Sequence, residues 1–214
     1  MIREEIEYYA LVKKVFDVLA PFYDVIAIPI SGVRNQVVSV TNAREGSRIL
    51  DVATGTGKQA FAFAKKGYEV IGVDLSDAML AVARKNNGFA NVKFETADAT
   101  NLPYGNNHFD VSCVSFALHD MPVTIREKVL KEMVRVTQTK GVIAVVDYAL
   151  PKSRVGSFLI YRLVSLYEGE YYSKFIKSDL DRLLRTTGVE IVAELSVLLG
   201  AGRILKGTKA GQSL

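Results

Sequence analysis

The chain has 214 residues, 49% of them hydrophobic and 23% charged, which is ample for a folded core and excludes a disordered chain. Its 27 Lys and Arg against 23 Asp and Glu leave a net charge of +4 with the two signs interspersed, so the clustered basic face of a nucleic-acid binder is not expected. A single cysteine, Cys113, and only two histidines, His108 and His119, exclude an internal disulfide, argue against a bound metal and fit a reducing compartment.

The N-terminal residues Met1-Ile2-Arg3-Glu4-Glu5 lack the apolar run of a secretory signal. Val25–Ile30 is too short to span a bilayer, and Val155–Tyr167 is both short and interrupted by Arg162. The expectation is a soluble cytoplasmic protein, with a peripheral contact at a membrane surface compatible with its apolar segments. Ile2–Leu19 is amphipathic, with Ile2, Ile6, Tyr9, Lys13, Phe16 and Ala20 at helical spacing. The apolar Pro21–Ile30 then leads into Arg34–Val40. Residues 1–44 thus read as a helical segment packed on the remainder, or serving as its lid, and residues 45–214 as the core of one structural domain.

From Arg48 onward, apolar runs of strand length alternate with helical patterns. The strands are Arg48–Ala53, Tyr68–Val73, Val92–Thr96, Phe109–Phe116 and Val142–Tyr148, several of them almost wholly apolar, as in parallel strands buried on both faces. The helices are Lys58–Lys66, Asp77–Asn86 and Thr124–Thr137. Ser76 and Gly88 bracket the second of these as N-cap and C-terminal stop. Such alternation predicts an α/β fold, an open Rossmann-like sheet with helices on both faces. A further helix at Ser178–Thr187 precedes strand-like Glu190–Val197, the turn Gly200-Ala201-Gly202 and Arg203–Lys206. No crossover fits between those last two runs, so they pair antiparallel at one sheet edge.

The most informative segment is Asp51-Val52-Ala53-Thr54-Gly55-Thr56-Gly57-Lys58-Gln59-Ala60, a buried strand turning through glycines into a helix. Gly55-x-Gly57-x-x-Ala60 followed by Asp74 also fits a dinucleotide fingerprint. Charge separates the two cofactors. Asp51, Asp74 and Asp98 fall at the carboxyl ends of successive strands, where an open α/β sheet binds its ligand. Asp51 beside the loop disfavours a pyrophosphate, whereas S-adenosylmethionine carries a sulfonium and an ammonium, and its ribose hydroxyls and adenine amine need acceptors. Asp98 with the Ala99 backbone is placed to read the adenine edge. Only Lys58 favours a phosphate.

Asp51–Gly57, Gly72-Val73-Asp74-Leu75-Ser76-Asp77-Ala78-Met79-Leu80, and Asp98-Ala99 through Leu102-Pro103 to Phe109-Asp110 resemble class I S-adenosylmethionine-dependent methyltransferases. With Val15-Phe16-Asp17, Ala20-Pro21 and Tyr23-Asp24, the chain is similar to the ubiquinone/menaquinone-biosynthesis C-methyltransferase family. That resemblance implies a seven-stranded sheet with an antiparallel last strand and S-adenosylmethionine as cofactor. It places Ala53, Gly55 and Gly57 near the methionine moiety and Asp74 on the ribose, with Leu75 and Met79 against the adenosine. Asp98 and Ala99 then take the adenine, Ser115 lies on the sulfonium side, and Tyr23 and Arg34 cover the cofactor or hold its carboxylate. The chain departs from the family where His119-Asp120 replaces an Arg-Asn pair after the fourth strand. It also has no Trp, and Gln138-Thr139-Lys140-Gly141 stands for a Pro-Gly-Gly turn.

His119, just past the fourth strand, is the candidate general base for an acceptor that must lose a proton, with Asp120 to orient it or take the proton itself. The alternative places His119 in a surface turn before Pro122. Tyr148 leads a tyrosine group with Tyr161, Tyr167, Tyr171 and Tyr172 that either stacks on the substrate or packs as core. Cys113 reads as a buried core thiol. The expected activity is methyl transfer to a small acceptor, quinol-like or a phospholipid or small-molecule amine. A nicotinamide oxidoreductase and a cofactor-binding regulator without turnover are the competing classes.

Overall fold

Apolar runs with few polar interruptions are buried between helical layers at the centre of an array of five parallel strands: β1 (Arg48–Val52), β2 (Glu69–Asp74), β3 (Val92–Thr96), β4 (Phe109–Ser115) and β5 (Thr137–Tyr148). The computed structural model describes residues 3–165 and 170–211, so Ile2 and Tyr167 lie outside the described residues. Two more strands, β6 (Val189–Val197) and β7 (Gly202–Lys209), complete a sheet ordered β3-β2-β1-β4-β5-β7-β6. β7 inserts between β5 and β6 and runs antiparallel to both, as the short Gly-containing connection requires. Ile49, Leu50, Val52, Val114, Ala144 and Val146 are fully buried along the central strands. Around the sheet pack α1 (Arg3–Leu19), α2 (Tyr23–Ile26), α3 (Val33–Thr41), α4 (Lys58–Ala64), α5 (Asp77–Asn86), α6 (Val123–Val136), α7 (Arg154–Val164), α8 (Glu170–Lys177) and α9 (Leu180–Thr186).

Four local expectations need correction. β5 starts at Thr137, straight after α6, rather than at Val142. Gly141 therefore lies inside the strand, at a register shift against β4, where a Cβ would stand 2.7 Å from the Asp110 carbonyl oxygen. The β6–β7 turn falls on Leu198–Gly200, all three residues in the left-handed region, because Gly202 already pairs with Val197 and Tyr148. In α5 the Ser76 hydroxyl accepts from the Met79 amide as an N-cap should, but the helix stops at Asn86 with an extended Asn87, and Gly88 is not its left-handed cap.

The fourth correction concerns α1. Its buried stripe is Glu5, Tyr8 and Val12, flanked by Tyr9 and Phe16, while Ile6 is 56% exposed. Glu5 is tolerated inside because Lys128 of α6 reaches its carboxylate at 2.8 Å. That ion pair turns the helix so that its tyrosines, and not Ile6, face the sheet. β1 and β4 are neighbours while the chain travels outward from β1 to β2 and β3. A crevice therefore opens at their carboxyl ends, the point where an open α/β sheet binds its ligand.

Candidate active site

The loop after β1 is shaped by three residues in the left-handed region, Ala53 (φ 53°), Gly55 (φ 56°) and Gly57 (φ 79°). Gly57 is required twice over, since a Cβ there would lie 2.6 Å from the Phe94 ring. The Thr54 amide donates to the Val73 carbonyl, which ties the loop to the end of β2. Asp74, closing β2, accepts from the Gly55 amide at 2.8 Å and from the Ser76 amide at 2.9 Å. Burial raises its pKa, with the backbone donors opposing. Asp98, just after β3, takes the Thr100 amide and hydroxyl on one oxygen and the Tyr9 hydroxyl, at 2.9 Å, on the other.

A cavity of about 1160 Å³, open mouth included, joins these parts. Of the residues expected to bind a cofactor, Ala53, Gly55, Asp74, Leu75, Met79, Asp98, Ala99, Ser115, Tyr23 and Arg34 all line it. Gly57 and Asp51 do not. Gly57 turns away to open α4. Asp51 is buried beneath the loop, where its carboxylate receives the Thr54 hydroxyl and burial pushes it up to about 7. At neutral pH its charge is thus only partly developed, and the negative wall of the cavity is made by Asp74, Asp98 and Asp120.

Lys58 is engaged elsewhere. Its ammonium lies 2.9 Å from Asp24, which also accepts the Thr56 hydroxyl at 2.6 Å. The one lysine that favoured a phosphate is neutralised by a carboxylate from the N-terminal segment. Beside it on the wall, the Gln59 amide nitrogen donates to the Arg34 carbonyl, and its buried carbonyl oxygen has no hydrogen-bond partner among the described residues. An orphaned buried acceptor costs ~1–3 kcal/mol unless a ligand donor reaches it. An α-ammonium next to a carboxylate held by Arg34 would supply that donor, so this end of the cavity fits an amino-acid zwitterion.

Past β4, a 3-10 turn over Leu118–Asp120 carries the two candidates for acid–base work. Asp120 lines the cavity and its side chain is 32% exposed. His119 lies outside the lining and is 3% exposed, so it is no surface turn residue. Its Nδ1 donates to Asp147 Oδ1 at 2.7 Å, its backbone amide donates to Asp147 Oδ2 at 3.1 Å, and its Nε2 stands 3.5 Å from Asp120 Oδ2. The residue that orients the imidazole is therefore Asp147, at the end of β5, and Asp120 stands between His119 and the cavity. Tyr148 is also behind the wall, edge-on to Phe116, His119 and Tyr172. Tyr161 stacks on Tyr172, and Tyr171 lies edge-on to Tyr8. Cys113 is fully buried in β4, its thiol pKa raised by burial and then by Asp51. Among the described residues no cluster of His, Cys, Asp and Glu could hold a metal, and no helix is long and apolar enough to cross a membrane.

Asp147, Gln59, Tyr8 and Tyr9 were not legible as site residues. Asp147 gave the same signal as Asp74, an acid closing an apolar strand. Tyr8 lay off the stripe drawn through Ile6, and Tyr9, though on that stripe, gave no sign of its bond to Asp98.

A family model described as a methyltransferase domain matches residues 49–141. The ubiquinone/menaquinone biosynthesis C-methyltransferase of Azotobacter vinelandii is 34% identical over 182 residues, 79% of this chain and 71% of that protein. The demethylmenaquinone methyltransferase of Paenarthrobacter aurescens is 35% identical over 65% of this chain, which spans only 56% of that protein's length. The fold also matches the magnesium protoporphyrin IX methyltransferase of Synechocystis, solved with bound S-adenosylhomocysteine. That match has a TM-score of 0.66 at 19% identity and covers 86% of this chain and 84% of that one.

Proposed function

Because the chain belongs to the methyltransferase family that includes the ubiquinone/menaquinone-biosynthesis C-methyltransferases, we propose that it transfers a methyl group from S-adenosylmethionine to a small hydrophobic or aromatic acceptor. The observation that carries this reading is the single cavity in which Asp74, Asp98 and the Gly55 loop share walls with Asp120. When bound, the cofactor supplies the activated methyl group. Asp74 and Asp98 keep acceptor lone pairs for ribose hydroxyls and an adenine amine, Arg34 and Gln59 address the amino-acid end, and Leu75 and Met79 give the apolar wall.

On the acceptor side, much of the acceleration is expected from holding the two reactants in register and excluding water. Residues 1–44 act as the cover, because Tyr9 holds Asp98, Asp17 accepts the Ser76 hydroxyl, and Asp24 holds Thr56 and Lys58. The loops after β1, β2 and β3 are thereby latched to the N-terminal segment. Asp120 takes the proton that a hydroxylated acceptor must release. His119 Nε2 stands behind it to share that proton, and the Asp147 carboxylate stabilises the imidazolium so formed. The apolar Phe16, Ile30, Val33 and Ile125 in the same wall favour a hydrophobic acceptor, quinol-like in character. The exposed Phe22, Val25, Ile26 and Ile28 beside it suit an acceptor drawn from a membrane surface.

Isothermal titration of the purified chain with S-adenosylhomocysteine and, separately, with NAD tests the reading. One-to-one binding of the first and no heat from the second is expected. NAD binding with no response to S-adenosylhomocysteine would end it.

A further inference from the structure

Tyr8 is a polar side chain that the mechanism above leaves unused. It lies on the buried stripe of α1, is 7% exposed and lines the cavity. Its ring is fixed edge-on by Tyr9 at 5.5 Å and by Tyr171 of α8 at 6.4 Å, each between ring centroids. Its neighbour Tyr9 spends its hydroxyl on Asp98, but among the described residues the Tyr8 hydroxyl has no hydrogen-bond partner. Burial raises its pKa, and the charges that raise it further are chiefly Asp120, then Asp74 and Asp98, the three carboxylates of the cavity wall. Tyr171, against which the ring packs, belongs to α8, and α8 packs on the Leu118–Asp120 turn, so Tyr8 meets the cavity on the side of Asp120 as a neutral O–H donor. On the cavity wall, a ligand acceptor atom can take the place of solvent as the partner of this hydroxyl.

We propose that Tyr8 is a specificity-determining residue that donates its hydroxyl to a ring oxygen of the methyl acceptor, on the Asp120 side of the cavity. The assignment rests on the methyltransferase reading and deepens it on the acceptor side. The polar groups there have complementary tasks. Asp120 can only accept a hydrogen bond when ionised, whereas Tyr8 offers a donor that no described residue satisfies. An acceptor bearing a ring hydroxyl meets both, giving its proton to Asp120 and its oxygen lone pair to Tyr8. A simple amine satisfies Asp120 and leaves the Tyr8 donor without an acceptor once its nitrogen is protonated. The rigid ring matters as well. Edge contacts on two sides hold the hydroxyl where it is, so little ordering cost is left for the substrate to meet.

The test uses the full chain saturated with S-adenosylhomocysteine and three probes: 1,4-dihydroxynaphthalene, naphthalene and 1-naphthylmethylamine. In the unmutated protein the diol is expected to bind roughly tenfold more tightly than naphthalene, the value of about one net hydrogen bond. Tyr8→Phe keeps both ring contacts and is expected to erase that preference while S-adenosylhomocysteine affinity stays within about twofold. Tyr9→Phe, by contrast, is expected to weaken S-adenosylhomocysteine through Asp98. Equal binding of diol and naphthalene by the unmutated chain would overturn the proposal without any variant having to fold. So would a Tyr8→Phe protein that retains the preference, that loses S-adenosylhomocysteine instead, or that loses the amine as strongly as the diol. Failure of the unmutated chain to bind S-adenosylhomocysteine at all would instead refute the methyltransferase reading itself.

Discussion

Asp51 offers a quantitative check on the electrostatics beneath the glycine loop. Burial pushes its carboxyl up to about 7 from an ordinary 3.8, the Thr54 hydroxyl and the charge of Arg34 only partly offsetting this. A group whose folded pKa is raised contributes stability that is complete below the unfolded value and is lost as pH rises through the folded one, here between 3.8 and about 7. Between pH 5 and 6 the folded chain holds close to one more proton than the unfolded chain, which costs about 1.4 kcal/mol per pH unit, and the difference falls to about half a proton at pH 7. The loss from pH 5 to pH 8 is about 2–3 kcal/mol. Asp51→Asn has the shape of the neutral acid and can still accept the Thr54 hydroxyl, but it cannot ionise. Urea unfolding of both proteins at pH 5 and at pH 8 is the assay, with equal m-values as the check on two-state behaviour. The stability of the variant relative to the unmutated chain should improve by about 2–3 kcal/mol across that interval, because all other groups titrate alike in both. A constant difference would mean that Asp51 is ionised in the fold and that the loop is built over a full negative charge.

Asp74→Ala removes two ribose acceptors and the carboxylate that receives the Gly55 and Ser76 amides, so S-adenosylhomocysteine affinity by calorimetry should fall by about 100-fold or more. Asp120→Asn should lower turnover by ~10²–10⁴-fold with cofactor affinity unchanged, the loss expected of a general base. Asp147→Asn should also lower turnover, through a misoriented His119, and to a smaller degree than Asp120→Asn; equal turnover in steady-state assays would detach the buried pair from the chemistry. Gly57→Ala should cost about 2–4 kcal/mol, from a left-handed alanine driven into Phe94, read as a fall in thermal midpoint.

The parts of this fold that were legible are those in which one local pattern has one physical solution. β1, β2 and β4 are largely apolar runs that suit a doubly covered parallel sheet, β3 alternates as an edge strand, and the limits of all four were found to within about a residue. The antiparallel pairing of the last two strands followed from their short Gly-containing connection, and two acids of the cavity wall, Asp74 and Asp98, from their places at strand ends. β5 shows the limit of that logic. Thr137–Gly141 carries no apolar signal, yet it pairs with β4 because α6 delivers it against Phe109, and only a glycine fits beside the Asp110 carbonyl. Local composition holds no record of a partner thirty residues away.

The acid–base residues illustrate the same limit more sharply. His119 and Asp120 are adjacent in sequence, so nothing local says which of them faces the cavity. The choice is made from 28 residues further along, where Asp147 accepts both the backbone amide and the Nδ1–H of His119. That double anchor draws the imidazole into the protein and leaves Asp120 as the group the cavity meets. In the same way Glu5 sets the rotation of α1, because its carboxylate must reach Lys128 on α6, and the rotation brings Tyr8 and Tyr9 to the wall in place of Ile6. In both cases a buried charge, the least tolerant kind of group in a protein interior, decides the orientation of the residues around it. The acceptor side of the site is therefore governed by pairs that no periodicity reveals, whereas the cofactor side is governed by the sheet and could be read directly.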